Sequence, residues 1–376
     1  MKRVLLVCNY DFTFNKYLSP LANSLFDEGY EVSVLCDGKK INHSLVGHRK
    51  INFFNIQIPK SFSFLAFMQS IIAIHKVLRK NSFDIVNVNN RNASFLARVA
   101  NILLPFSKTK IIYTARGMYF HDAQKKFNYK IIFFLEVVLS FFTDLVLSQS
   151  LDDINYITKN FLVKKEKFIH IGNGIDANKF NVKNVNGVDI DSKRFIVCSI
   201  GRIARAKGLE DMLFAFKNFS DEVENAYLLF IGGVLHKEQD HIYADFLEQI
   251  KRLGIEKKVH ITGLVDNVED YLAVCDVYLH TAHREGMPRS VLEAMSMEKI
   301  VLASRIRGAK EIITHGHDGF LFEKGDCIAI SEKLKSICQL NEDQKVKIQK
   351  AARDKVVSSY TQDQYISKQV EAFSRV

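Results

Sequence analysis

Residues 275–295, "CDVYLHTAHREGMPRSVLEAM", decide how the chain is read. The apolar run "CDVYLHT" reads as a strand. "AHREGMP" is then the loop at its carboxyl end, and "RSVLEAM" continues a helix with Pro288 in its first turn. A strand feeding a helix through a short loop is the unit of a parallel α/β sheet, and such sheets bind ligands at the carboxyl ends of their strands. The loop carries Glu285 ahead of Gly286 and Pro288, and the helix carries Glu293. Free N–H groups and the positive dipole end at the helix start suit an anion. Gly286 lets the backbone approach a ligand closely. A carboxylate accepts hydrogen bonds, and vicinal hydroxyls are a natural donor pair for it. This combination describes a site for a sugar nucleotide. On spacing alone, the competing reading is a surface loop capped by an ordinary Glu-bearing helix.

The same unit recurs on both sides. "RFIVCSIG" is a strand, "GRIARAKG" (201–208) its loop, and "GLEDMLFAFKNF" a helix with Leu209, Met212, Leu213 and Phe216 at helical spacing. Arg202 and Lys207 lie in that loop between Gly201 and Gly208. They can grip a diphosphate, Arg bidentately and Lys as a point charge. Taken alone they read equally as solvated cations, and no Lys-Ser/Thr follows the glycines as a P-loop requires. "AYLLFIGG", "KVHITG" and "KIVLAS" are further strands. In the first half "KRVLLVC", "EVSVLC", "FDIVNVNN", "KIIYTARG", "DLVLSQS" and "KFIHIGNG" alternate with helical patterns that include 63–80, 91–103, 126–143 and 150–161. The expected fold class is α/β: two doubly wound, Rossmann-like domains facing a cleft. The expected division is 1–180, a turn-rich linker at 181–193, a second domain at 194–358, and an amphipathic helix at 359–376 that packs back on the first domain.

The bulk numbers agree with this outline. A chain of 376 residues is too long for one ordinary domain. The six cysteines form no CxxC pair and read as reduced core residues. "MKRVLLVC" has too short an apolar run for a signal peptide, and "IIFFLEVVLSFF" (131–142) is too short for a span of about 20 residues. Residues 1–180 hold 24 Lys+Arg and 13 Asp+Glu (24 − 13 = +11), whereas 181–376 hold 28 and 29 (28 − 29 = −1). Of the 29 phenylalanines, 20 lie in 1–180, so that half is both basic and aromatic. An anionic partner follows, either nucleic acid or an anionic membrane face. A single-stranded nucleic-acid groove interleaves Arg with exposed aromatics. Here Lys125, Lys126 and Lys130 sit beside "IIFFLEVVLSFF", the pattern of a membrane-surface element; a core helix with a solvated basic start is the alternative.

"IGRIARAKGLEDML" (200–213), "VHITGLVDNVEDYLAVCDVYL" (259–279) and "REGMPRSVLEAMSMEKIVLASRIRGAKEII" (284–313) resemble the donor half of retaining glycosyltransferases of the GT-B fold, family 4. "IHIGNGIDANKF" (169–180) is similar to the family's inter-domain segment, and "IIYTARGMYFHDA" (111–123) to a segment of members that build bacterial surface polysaccharides. The resemblance implies that Arg202 and Lys207 hold the donor diphosphate and stabilise the leaving nucleotide. Glu285 contacts the transferred sugar, beside the N–H groups of Gly286 and Met287. The N–H groups of Arg289 and Ser290 face the phosphates, Glu293 binds the ribose hydroxyls, and Gly201, Gly263 and Leu264 complete the donor side. Asn9, Asn90, Arg116 and His121 fall to the acceptor side. The resemblance further implies retention at the anomeric carbon, no resident cofactor and no metal. It implies a UDP- or GDP-linked sugar as donor and a lipid-linked (polyprenyl diphosphate) saccharide as acceptor. The setting is bacterial O-antigen, capsule or exopolysaccharide synthesis, in the cytoplasm at the anionic inner face of the membrane, with no nucleic acid.

Three positions depart from the family pattern. Arg116 stands where the family commonly has His, and so offers itself to an acceptor phosphate instead. "NYDFTFNK" (9–16) replaces a Gly-rich first loop, and "HTAHREG" replaces the commoner Leu-Pro-Ser before the first Glu. Three other functions remain to be weighed. A hydrolase needs carboxyls about 5–9.5 Å apart across the scissile bond, whereas eight helical residues separate Glu285 from Glu293 by roughly 12 Å. A GT-B nucleotide-sugar epimerase needs no membrane-facing basic domain. A basic nucleic-acid-binding protein is the reading from another class.

Overall fold

The computed structural model describes residues 1–59, 63–104, 107–117, 127–161, 163–234 and 240–376. They form two compact units: Met1–Gly172 together with Tyr365–Val376, and Asn173–Gln364. The division therefore falls ahead of the expected linker. Residues 181–193 are polar on average, yet Val182, Val185 and Ile190 pack against the core of unit 2. Composition recorded the polarity and missed the tertiary contacts.

Unit 1 is built on a seven-stranded, wholly parallel sheet of β1 (Arg3–Tyr10), β2 (Glu31–Asp37), β3 (Asn52–Asn55), β4 (Ile85–Asn89), β5 (Lys110–Ala115), β6 (Leu145–Ser148) and β7 (Phe168–His170). Its order is β3-β2-β1-β4-β5-β6-β7. Helices cover both faces, so the central strands are apolar runs rather than alternating ones. Leu5, Val7, Val86 and Val88 face a cluster with Ile71, Ile74, Leu96 and Ala97 of the Phe64–Asn81 and Arg91–Ile102 helices. Val4, Leu6, Ile85 and Ile112 face the Ser19–Asp27 helix, and Tyr365, Ile366, Ala372 and Phe373 of the Gln362–Ser374 helix fill the same core. Strand β3 lay outside the sequence reading, because "NFFN" is a short edge with no apolar run.

Unit 2 holds six parallel strands, β8 (Phe195–Ile200), β9 (Ala226–Ile231), β10 (Val259–Ile261), β11 (Val277–His280), β12 (Ile300–Ser304) and β13 (Phe320–Phe322). Their order is β10-β9-β8-β11-β12-β13. Each sheet reverses its strand order once, between β1 and β4 and between β8 and β11. At such a reversal the flanking loops diverge and leave a crevice at the carboxyl ends. Cys8, Cys36, Cys198 and Cys275 are buried free thiols, while Cys327 and Cys338 are half-buried.

One ion pair in unit 1 explains why Glu136 interrupts the apolar run at 131–142. Arg98 is buried on the Arg91–Ile102 helix, stacked over Tyr113 at 4.3 Å, and its Nη2 meets Glu136 Oε2 of the Phe127–Phe141 helix at 2.7 Å. Removing one partner of a buried pair strands the other charge, at a cost of about 3–5 kcal/mol. Glu136→Leu is expected to lower the stability of unit 1 by that order in urea unfolding, and Arg98→Met added to it should recover most of the loss. Full stability in the single variant would refute this account.

Candidate active site

The two loops singled out in the sequence are joined by their backbones. Gly208 opens the Leu209–Glu222 helix with a φ of 63°, and a Cβ there would run into the Thr281 carbonyl oxygen. Only glycine satisfies both conditions. Thr281 Oγ1 donates to the Lys207 carbonyl at 3.0 Å, and the His283 N–H donates to the Ala206 carbonyl at 2.9 Å. His283 Nε2 lies 2.6 Å from Asp211 Oδ2 on the same helix. The loop after β8 is thus held against the loop after β11, and Lys207 Nζ meets Glu285 Oε1 at 2.5 Å.

Charge in this crevice is arranged around that pair. Burial pushes the Glu285 carboxyl up, but Lys207, with Arg202 adding to it, outweighs burial and holds it below the ordinary carboxylate value. His280, the last residue of β11, is fully buried. Burial first and Lys207 second bring its pKa down to about 4, so the imidazole is neutral at physiological pH. Its Nδ1 lies 3.3 Å from the Tyr278 hydroxyl, whose own pKa burial raises well above the usual value. Ser290 is hydrogen-bonded to that same hydroxyl. Sequence reasoning passed over His280 and Tyr278; the available signal was a pair of polar groups at alternate positions in an otherwise apolar strand.

The neighbouring strand ends are lined by glycine. A Cβ on Gly232, at φ 142°, would run into the Gly201 carbonyl, and Gly232 bridges to Gly263. Gly201, Gly232 and Gly263 therefore bring the ends of β8, β9 and β10 together, with Leu264 exposed beside them. Gly232 was missed because "IGG" at a strand end resembles any turn. The Arg289–Ser296 helix begins one residue later than expected, with Pro288 as its N-cap. Arg289 Nε lies 3.8 Å from Glu293 Oε1. Met287 is buried, and its carbonyl accepts from Asn173 Nδ2 at 3.1 Å, so the Gly286–Met287 turn is pinned by the "GNG" segment. The Ser304 hydroxyl likewise holds the Ala282 carbonyl at 2.6 Å. Neither Asn173 nor Ser304 was picked out by sequence, because the loop each one fixes is over a hundred and about twenty residues away, respectively.

On unit 1, Asn9 and Asn90, two of the four residues expected on the acceptor side, meet at the strand-order reversal. The Asn9 N–H donates to Asn90 Oδ1 at 3.3 Å, and the Ala93 N–H donates to Asn9 Oδ1 at 3.1 Å, which ties the ends of β1 and β4 together. Asn90 has φ 64° and ψ 154°, a conformation close to glycine-only territory and of the kind that collects at functional sites. Arg116 follows β5 and lies over the Tyr17 ring at 5.7 Å. His121, Lys125 and Lys126 lie outside the described residues.

Comparison with known proteins matches this architecture. The model of "Glycosyltransferase Family 4" covers residues 15–179 and that of "Glycosyl transferases group 1" covers 182–355. The capsular polysaccharide biosynthesis glycosyltransferase CapM of Staphylococcus aureus is 27% identical over 293 residues, 75% of this chain and 74% of CapM. A UDP-Gal:alpha-D-GlcNAc-diphosphoundecaprenol alpha-1,3-galactosyltransferase of Escherichia coli is 22% identical over 346 residues, 89% of this chain and 86% of that enzyme. Among solved structures, HepE of Anabaena in complex with UDP and glucose superposes with a TM-score of 0.81 over the full length of both chains at 18% identity. The two Rossmann-like sheets are those of the GT-B fold, and the chain belongs to glycosyltransferase family 4.

Proposed function

We propose that this glycosyltransferase moves a sugar from a UDP-linked donor, with retention at the anomeric carbon, onto a polyprenyl-diphosphate-linked saccharide in bacterial surface-polysaccharide synthesis. The observation that carries the reading is the Lys207–Glu285 pair beside Arg202 at the carboxyl edge of the unit 2 sheet. The E. coli relative is named for a UDP-sugar and a diphosphoundecaprenol acceptor, HepE was solved with UDP, and CapM is named for capsule synthesis.

In this reading the diphosphate takes over Lys207 and Arg202, and Glu285, freed from Lys207, turns to the sugar. Glu293 takes the ribose hydroxyls, and the base lies against Gly263 and Leu264. The N–H groups of Gly286, Met287, Arg289 and Ser290 complete the cradle. As the sugar–phosphate bond breaks and the acceptor hydroxyl attacks from the same face, charge builds on the leaving diphosphate. Arg202 and Lys207 are already in place to meet it. Removing one such preorganised group typically lowers the rate by roughly 10²–10³. Neither a metal nor a resident cofactor enters this scheme.

An anionic membrane face is the proposed setting. Phe64, Leu65, Met68 and Ile72 are exposed along one helix of unit 1, and Ile131, Phe134, Leu135, Phe141 and Phe142 on and just beyond the Phe127–Phe141 helix. Among the described residues no helix is long and apolar enough to cross a membrane. A surface-bound element of this kind combines apolar burial with attraction of its Lys and Arg to anionic lipid.

Three outcomes test the reading. In a thermal-shift screen, a nucleotide at about 100 times its dissociation constant adds roughly 2.7 kcal/mol of stability. UDP should stabilise the wild type and much less the Glu293→Ala variant, while GDP should not. Lys207→Met should lower kcat by about 10²–10³. It should also move the Glu285 titration upward, because burial then acts without its main opposing charge. With its folded pKa depressed, Glu285 contributes stability above the ordinary carboxylate pKa and loses it as pH falls through the folded value. In Lys207→Met that acid-side loss should therefore disappear or reverse into a loss as pH rises, and an unchanged acid limb would contradict the assignment. Flotation at low salt should carry the protein with anionic vesicles and leave it behind with neutral ones; equal behaviour on both would remove the membrane from the scheme.

A further inference from the structure

On one face of the unit 1 sheet the side chains change character along the strands. Ile85, Ile112, Leu145 and Leu147 belong to the apolar core. Alternation then continues the same face through Asn87 and Asn89 on β4, Thr114 and Arg116 on and after β5, and Gln149 after β6. Register places these side by side, with Asn89 opposite Thr114 and Ala115 opposite Ser148, and the Gln149 N–H donates to the Ala115 carbonyl at 3.2 Å.

Part of this polar end is self-satisfied. Asn87 Nδ2 donates to Thr114 Oγ1 at 3.0 Å, and Asn89 Nδ2 to Asn87 Oδ1 at 2.7 Å. The outer part is not. Among the described residues, Nε and Nη2 of Arg116, Nε2 of Gln149 and Oδ1 of Asn89 are buried with no hydrogen-bond partner, and Gln149 and Asn89 are at least nine-tenths buried as whole residues. Leaving a buried polar group unpaired is costly, and a charged one more so. Orphans are usually scattered and few. Here three residues on adjacent strand ends carry them, and they include two N–H groups of one guanidinium. Cys8, close enough to Arg116 for the cation to act on it, supplies no counter-charge. Its hydrogen bond to Cys36, and then burial, raise the thiol pKa well above the usual value. Tyr17 covers the guanidinium from the loop after β1. Two parallel N–H donors on a planar cation match two oxygens of a phosphate, the Gln149 amide adds a third donor, and the Asn89 carbonyl suits a hydroxyl beside it.

We propose that the carboxyl ends of β4, β5 and β6 form an oxyanion site centred on Arg116, with Gln149 and Asn89 at its edges, and that it seats a phosphate group of the acceptor. The first half stands on unit 1 alone; the word acceptor rests on the function proposed above.

The test uses full-length protein and inorganic pyrophosphate as the probe, read by thermal shift. Arg202→Ala/Lys207→Ala removes the donor-side cations and leaves Arg116 as the site to be probed. Pyrophosphate should raise the Tm of this double variant saturably, and adding Arg116→Gln should abolish the rise. No rise in the double variant, or a rise that survives Arg116→Gln, overturns the proposal. Sodium acetate at matched ionic strength should give no comparable rise, and an equal one overturns the assignment to phosphate. Without ligand, Arg116→Gln should match or exceed the wild-type Tm, since it removes an unpaired buried charge; a lower Tm marks the guanidinium as structural and also overturns it. UDP separates the two proposals. Stabilisation by UDP in wild type and in Arg116→Gln, with no pyrophosphate effect in the double variant, leaves the transferase reading standing and the oxyanion site refuted. The reverse pattern refutes the donor assignment and keeps the oxyanion site.

Discussion

The backbone of Gly208 lies where any side chain would strike the Thr281 carbonyl, and the geometry of the candidate site depends on that close approach. It sets the spacing between the loop after β8 and the loop after β11. Two hydrogen bonds, from Thr281 Oγ1 and the His283 N–H, then fix the register of one loop on the other. Lys207 and Glu285 meet because their loops have no freedom to part. Behind them the strand ends carry Tyr278 and His280, which are buried and neutral, so the local field is set by Lys207, Glu285 and Arg202.

Lys207 and Glu285 also neutralise each other, so a ligand that takes up one of them must supply a partner for the other or leave a charge unpaired. Under the function proposed above, a lone phosphate would gain Lys207 but strand Glu285, a neutral sugar would do the opposite, and a sugar diphosphate would satisfy both.

Much of the fold was legible because a parallel sheet buries its strands on both faces. "FIVCSI", "AYLLFI" and "DIVNVN" stand out as apolar runs bounded by turn residues. The helices at Phe64–Asn81, Arg91–Ile102 and Leu151–Asn160 lie within a residue of where periodicity places them. What escaped was whatever depends on contacts distant in sequence. Strand β3 is an edge, "NFFN", with no pattern of its own. The polar stretch 181–193 looked like a linker, although three of its apolar side chains complete the core of unit 2. In the candidate site, Arg202, Lys207 and Glu285 stood out in sequence as charges beside glycine in strand-end loops, and Glu293 as a carboxylate on the helix that follows. Asn173, Gly232, Ser304 and His280 were not, since each acts by fitting against a backbone or side chain that only the fold brings near.

Unit 1 is finished by residues from the far end of the chain. Tyr365, Ile366, Ala372 and Phe373 fill the same core as Val4, Leu6 and Ile85, while the whole of unit 2 lies between them in sequence. A ribosome therefore releases the contiguous second unit before it supplies the piece that closes the first. Domains made in order ordinarily fold in order, the amino-terminal one leading. Here the order is inverted at the last step. The amino-terminal sheet must wait with part of an apolar face uncovered until residues 365–373 have emerged after the whole of unit 2, so the unit richer in phenylalanine is also the one left open longer to aggregation and to chaperones.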